Sequence, residues 1–330
     1  MTSAPVRDPL ADHLITPQNA ALLLIDYQPA QLAGVRSMDR ALLVKTNHDE
    51  SRERRGPATR RDYSHANDPT QRRAPMSRVL ITGSAQGLGL LAGRQLIAAD
   101  HEVVLHARNP TRARAASAAA PGASGVVVGD LASIEQTRQV AEQANASGRF
   151  DAVIHNAGVS LEPQRVETVD GLAHVFAVNV LAPYLLTALI DRPGRLVFLS
   201  SGMHLGGELD LDDLQWTRRR WNPSRAYAES KLLDVTLAFA LARRWPEVPS
   251  NAVDPGWVPT RMGGPYASDD LDLGAQTQVW LATGDDPGAT RTGRYLYHRR
   301  PYAAHPAASD PAVQDRLLAI CADLTGRPMP

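Results

Sequence analysis

The chain has 330 residues, 43% of them hydrophobic, with 35 Lys plus Arg set against 35 Asp plus Glu. That length and content allow one large α/β domain or two modest ones, and the balanced charge offers no field to draw nucleic acid or an anionic membrane. A single cysteine, Cys321, excludes an internal disulfide and a multi-thiolate metal centre and suits a reducing compartment, so a cytoplasmic location is expected and no metal is assigned.

In chain order, the first apolar run, residues 20–25, is too short to span a bilayer and lacks the flanks of a signal peptide. Residues 46–75 are rich in Arg, Pro, Ser, Asn and Asp and carry the pairs Arg54-Arg55, Arg60-Arg61 and Arg72-Arg73. Such a segment buries too little apolar surface to offset its ordering entropy, which predicts a disordered, solvated linker. From Arg78 onward, β-branched runs at 79–82, 103–106, 125–128, 152–155, 196–199 and 251–253 alternate with Ala/Leu-rich helical stretches. The alternation predicts βαβ units in an α/β fold, a Rossmann-type doubly wound parallel sheet with helices on both faces, and a ligand at the carboxyl ends of the strands.

Directly after the first strand comes Thr82-Gly83-Ser84-Ala85-Gln86-Gly87-Leu88-Gly89, followed by a helical stretch over 90–99. Glycines allow close backbone approach, and the helix N-terminus offers free N–H groups and partial positive charge to a pyrophosphate, so a dinucleotide suits the turn. After the second strand, His106-Ala107-Arg108-Asn109 has no acidic residue for a ribose 2′-hydroxyl, whereas Arg108 can pair with a 2′-phosphate. NADP(H) is therefore expected over NAD(H). Further on, Tyr227 and Lys231 lie four apart in a helical stretch and share a face. A free phenol has a pKa near ~10, and a neighbouring ammonium stabilises its phenolate.

The Gly-x-x-x-Gly-x-Gly spacing resembles the short-chain dehydrogenase/reductase family, and other family motifs follow in order. The resemblance implies cofactor contacts at Gly83, Ser84, Gln86, Gly87, Leu88 and Gly89, at the pair Asp130-Leu131 beside the adenine, and at Asn156-Ala157-Gly158. His155 stands where the family has a first Asn, a departure at a structural position. The resemblance also implies a catalytic set of Asn179, Ser201, Tyr227 and Lys231, with Ser201 rather than Ser200 polarising the substrate oxygen. Tyr227 and Lys231 also touch the cofactor in this family, and Pro255, Gly256, Val258 and Thr260 match its turn near the nicotinamide carboxamide. The stretch from Gly206 to Ser224 looks like the insertion of the retinol-dehydrogenase-like branch, whose substrates are lipophilic carbonyls or alcohols. Within it, Trp216, Trp221 and Arg218-Arg219-Arg220 either wall the substrate cleft or form a solvated flap, and Glu208, Asp210, Asp212 and Asp213 are expected to face solvent. The helical stretches around Asn179 and Tyr227 resemble the family's dimer-forming helices, which makes a homodimer possible.

Residues 13–44 resemble the start of isochorismatase-like hydrolases, with Asp26 matching the catalytic aspartate, but the lysine and nucleophilic cysteine of that family have no counterpart. Residues 1–75 are accordingly read as an N-terminal extension, a fused remnant or an overextended reading frame. Residues 76–330 are read as the NADP-binding domain, with Met76 a credible start. The expected activity is NADP(H)-dependent interconversion of a carbonyl and an alcohol by hydride transfer, on a small lipophilic molecule, without nucleic acid or a membrane span. The alternative is a non-catalytic NADP-binding regulator of the same fold, which retention of Tyr227 and Lys231 disfavours.

Overall fold

The computed structural model describes residues 76–330; the expectations for residues 1–75, including the hydrolase-like start and the linker, lie outside the described residues. The six expected strands form as β1 (Arg78–Ile81), β2 (Glu102–Ala107), β3 (Gly125–Val128), β4 (Ala152–His155), β5 (Arg195–Leu199) and β6 (Ser250–Asp254). Two further short strands, β7 (Tyr295–Tyr297) and β8 (Arg300–Tyr302), complete an eight-stranded sheet of order β3-β2-β1-β4-β5-β6-β7-β8. All neighbours pair in parallel except β7 with β8.

Side chains alternate across such a sheet, and both faces must be covered. Leu80, Val153, Leu196 and Phe198 point into one core, while Val79, Ile81, Ala152, Ile154, Val197 and Leu199 point into the other. The first core is closed by α3 (Ile134–Ala146), α5 (Ala182–Leu189), α6 (Pro223–Arg244) and α8 (Pro311–Thr325), and the second chiefly by α1 (Gly87–Ala98) and α7 (Leu271–Thr283). Each buried Leu, Ile or Val contributes about 1.5–3 kcal/mol.

The remaining helices are α2 (Pro110–Ala119) and α4 (His174–Phe176), the latter running into α5 through a π-helical turn over Ala177–Leu181. Helix α6 is buried at every position from 226 to 238 within the single chain. Helix α8 and the C-terminal residues lie over it, with Arg243 bonded to Gln314 and Arg244 to the carbonyls of Met329 and Pro330. The helix that the family resemblance offers to a second copy is thus covered by this chain's own C-terminus. No helix among the described residues is long and apolar enough to cross a membrane.

Strand order reverses between β1 and β4: the chain runs outward through β2 and β3, then crosses to β4 and continues the other way. The loops after β1 and β4 diverge there, which opens a crevice at the carboxyl ends of the strands.

Candidate active site

A cleft of about 620 Å³ occupies that crevice. Its floor is the glycine turn. Gly83 adopts φ +63, and a Cβ there would fall 2.7 Å from the Ala157 Cα; a Cβ on Gly89 would fall 2.4 Å from Asn156 Nδ2. Only glycine lets the turn lie this close to the β4 loop. Asn156 fastens the two, donating from Nδ2 to the carbonyls of Thr82 at 2.9 Å and Gly83 at 3.2 Å. Helices α2, α3, α6 and α7 are capped by side chains of Asn109, Ser133, Asn222 and Asp270, whereas Gln86 caps α1 without a side-chain bond and no acid occupies its first turn. The positive end of α1 is therefore left open to an anion in the cleft. Gln86, Gly87 and Leu88 line the cleft, but the Ser84 side chain turns behind it, donating to the Ile81 carbonyl at 2.8 Å and accepting from the His106 N–H at 2.8 Å.

His106 is a support that the motif reading did not single out. Its Nδ1 accepts from Gly83 N–H at 2.9 Å, so the proton sits on Nε2, which donates to the Gly129 carbonyl at 2.9 Å. The ring ties the turn to the ends of β2 and β3, and burial lowers its pKa, keeping it neutral. Beyond it, Arg108 and Arg112 line one end of the cleft, and Arg112 donates to Gln86 Oε1 at 2.9 Å. Asp130 and Leu131 line the same region. Arg112 was not expected from the sequence; it sits in the first turn of α2, whose packing against β2 and β3 brings it there.

At the other end, the 22-residue helix α6 carries Tyr227 and Lys231, with the ammonium 5.8 Å from the ring centroid. Ser201, just past β5, lies near enough to pull the Tyr227 phenol's pKa down, but its hydroxyl accepts from the Met203 N–H at 3.3 Å and it is absent from the cleft lining. Burial raises the phenol's pKa; Lys231 lowers it, Asp234 raises it, Ser201 lowers it and Asp254 raises it. The stabilisation expected from Lys231 is present, but burial outweighs it and the shift is upward. Ser200 is the serine that lines the cleft, and its hydroxyl donates to the Lys231 carbonyl at 2.8 Å. Asn179, in the π turn, accepts from Val159 N–H at 2.8 Å and donates to the Val159 carbonyl at 3.0 Å and to Ser230 Oγ at 2.9 Å. It locks the β4 loop to α6. Gly158 lies between Asn179 and Lys231, where a Cβ would come within 3.6 Å of Nζ.

Past β6, Pro255 and Thr260 line the cleft together with Arg261 and Met262. Gly256 takes φ +81, and Val258 is buried against Gly274 of α7, so both shape the wall from behind. Glu162 and His174 also line the cleft, joined Oε1 to Nδ1 at 2.5 Å, a pair that no local pattern announces.

One expectation for the insertion is corrected, and of the two alternatives for its Trp and Arg residues the cleft wall is not seen. Asp213 does not face solvent: it is 2% exposed, and its carboxylate accepts from the N–H groups of Thr217, Arg218 and Arg219 and from the Thr217 hydroxyl. These bonds overcome the burial penalty and hold its pKa down to about 2. Trp216, Trp221 and Arg218-Arg219-Arg220 are absent from the cleft wall. Trp216 and Trp221 instead pack edge-on at 5.5 Å, and Arg219 stacks 4.0 Å over Trp216 while pairing with Asp213 and Glu229. The chain reversal at 213–219 creates this knot, and a sequence window cannot show it.

A doubly wound sheet with an anion-receptive glycine turn at its reversal point and a Tyr–Lys–Ser group beside it defines an α/β oxidoreductase. The short chain dehydrogenase family model matches residues 77–208. An oxidoreductase of Emericella nidulans is 42% identical over 264 residues, spanning 77% of this chain and 99% of the relative. Retinol dehydrogenase 13 of Homo sapiens is 31% identical over 294 residues, spanning 79% and 88%. Among solved structures, a Mycobacterium paratuberculosis protein superposes with a TM-score of 0.68 at 28% identity, covering 78% of this chain and 97% of that one. The chain belongs to the short-chain dehydrogenase family and is an oxidoreductase.

Proposed function

We propose that this oxidoreductase interconverts a carbonyl and an alcohol with NADP(H), in the domain formed by residues 76–330. The observation that carries the reading is the buried Lys231 ammonium 5.8 Å from the Tyr227 ring, in a cleft that also holds the open α1 terminus with Arg108 and Arg112. The residues present fit the cofactor: the cradle at Gly83 and Gly89 has room for nothing larger than hydrogen, α1 is uncapped, and two guanidinium groups line the cleft with charge that suits a 2′-phosphate. When bound, the nicotinamide supplies or accepts the hydride.

The chain's own groups do the rest. Ser201 orients and polarises the substrate oxygen, and Tyr227 gives that oxygen its proton in reduction or takes it in oxidation. Burial holds the phenol above its ordinary pKa, so at neutral pH it is a neutral donor, suited to carbonyl reduction. Lys231 keeps a positive charge beside the phenolate that remains, and Asn179 holds the β4 loop against the helix that bears both groups. Val159, Val178 and Met262 give the substrate end of the cleft apolar walls, consistent with a small lipophilic substrate. The test is NADPH oxidation by the purified protein against a panel of lipophilic ketones, aldehydes and quinones. Turnover with members of the panel is expected; tight NADPH binding without turnover of any of them would favour a regulatory NADP-binding role instead.

A further inference from the structure

The catalytic lysine of this site is not alone in its pocket. Lys231 Nζ donates to the Leu199 carbonyl at 2.7 Å and to Asp234 Oδ2 at 2.8 Å, and the two charged side chains are 6% and 4% exposed. An ammonium has three donors. Two are committed behind it, leaving one for the cleft side, where Tyr227 lies. Asp234 is three residues further along α6, so the same helix turn that presents Lys231 to Tyr227 also presents it to a carboxylate.

We propose that Asp234 is a positioning residue for the reaction, fixing the Lys231 ammonium in place and balancing its charge, which weakens the pull of that charge on the Tyr227 phenol. A lone ammonium in a buried site would act on the phenol as a full charge, whereas an ammonium bonded to a carboxylate acts as a dipole, whose field falls off faster. The other groups facing Tyr227 do not supply that balance in the same place. Ser201 approaches from the end of β5 and Asp254 from the end of β6, with Asp254 engaged by the Tyr295 hydroxyl of β7 at 3.0 Å. His204, in the turn after β5, is held by the Ser201 carbonyl at 2.8 Å and accepts from the His305 N–H at 3.2 Å. Burial pushes the Asp234 carboxyl up to about 6 while Lys231 pulls the other way, so the carboxylate is ionised over the range in which a phenol titrates. The proposal rests on Tyr227 being the proton-exchanging group, but its test needs neither cofactor nor substrate.

The experiment is ultraviolet titration of phenolate in the full-length protein, with each variant also made in a Tyr227→Phe background so that subtraction isolates Tyr227. Asp234→Asn keeps an oxygen acceptor for Lys231 and removes only the charge. The Tyr227 midpoint is expected to fall by at least about half a pH unit, the direction set by an ammonium left uncompensated in a medium of reduced dielectric. Asp234→Glu is expected to return it towards the wild-type value. An Asp234→Asn midpoint equal to or above wild type, in a protein that unfolds cooperatively on heating, overturns the proposal. Should the single variant fail to fold, Lys231→Met/Asp234→Leu removes both charges together. Its midpoint is expected within about half a unit of wild type, and a rise of more than about one unit would show that the ammonium had acted uncompensated. Absence of hydride transfer in the wild type would refute the proposed reaction and leave this titration result standing.

Discussion

Replacing His155 with Asn, the residue that the family resemblance places there, should make the protein resist acid better than wild type. His155 is fully buried at the end of β4, stacked on Phe198 at 4.7 Å between ring centroids. The Thr187 hydroxyl donates to the Pro183 carbonyl at 2.7 Å, so it must accept from His155 Nε2 at 3.0 Å, which leaves Nδ1 buried and without a partner among the described residues. A second proton would have to go on Nδ1 with no acceptor and no counter-charge, and burial accordingly lowers the pKa from 6.5 to about 3. Above about pH 6.5 the ring is neutral in both folded and unfolded chains. As the pH falls from there towards about 3, the unfolded chain binds a proton that the folded one refuses, and stability is lost at about 1.4 kcal/mol per unit. At pH 4.5, two units below the unfolded value, the loss is about 2.7 kcal/mol, a large share of a typical total of about 5–15 kcal/mol. The assay is urea unfolding of wild type and His155→Asn at pH 7.5 and 4.5. Any packing cost of the smaller side chain is common to both pH values and cancels in the double difference. Wild type should lose about 2–3 kcal/mol more than the variant on acidification. Equal losses in the two proteins would refute the reasoning.

The other consequences are more local. Arg108→Ala should weaken NADPH binding by roughly tenfold to 150-fold, the size of one charge-assisted bond, with little change for NADH in fluorescence titrations. Equal affinity of the unmutated protein for the two cofactors would remove the basis for the assignment, while an effect appearing only when Arg112 is also replaced would show that the two share the phosphate. Arg219→Ala leaves the buried Glu229 without its ion-pair partner, while Asp213 keeps its backbone donors, and should cost about 3 kcal/mol in denaturant unfolding, unlike an exposed arginine, whose loss would be near neutral. A chain beginning at Met76 should keep the melting temperature and NADPH affinity of the full chain, because the described residues between Val79 and Met329 already cover both faces of the sheet with two hydrophobic cores; an insoluble product would place the boundary elsewhere.

Much of the fold was legible because it is written in local periodicity. Buried parallel strands read as short apolar runs, the glycine turn follows the first of them, and the Tyr227–Lys231 spacing is fixed by helix geometry. The β7–β8 hairpin was not legible. Its strands are three residues each, and its turn uses His298 and Arg299 at φ 47 and 61 where Asn or Gly would have signalled a reversal. Asp213 looked solvated because acidic runs usually are, and only the fold brings five donors around it. Asp234 carries no signal in the sequence, and only the burial of α6 from 226 to 238 sets it against Lys231 away from solvent. Arg112, Glu162 and His174 reach the cleft through packing of α2, the β4 loop and α4, which sequence spacing does not encode.

The most direct test of the proposed chemistry is single-turnover hydride transfer in Tyr227→Phe, alongside fluorescence titration of NADPH. The substitution removes one oxygen and leaves the ring, its packing and the helix in place. NADPH affinity should stay near wild type while the transfer rate falls by at least about 100-fold, the lower end of what a positioned general acid contributes. A variant that keeps more than about a tenth of the wild-type rate would contradict the account, since the proton would then come from another group.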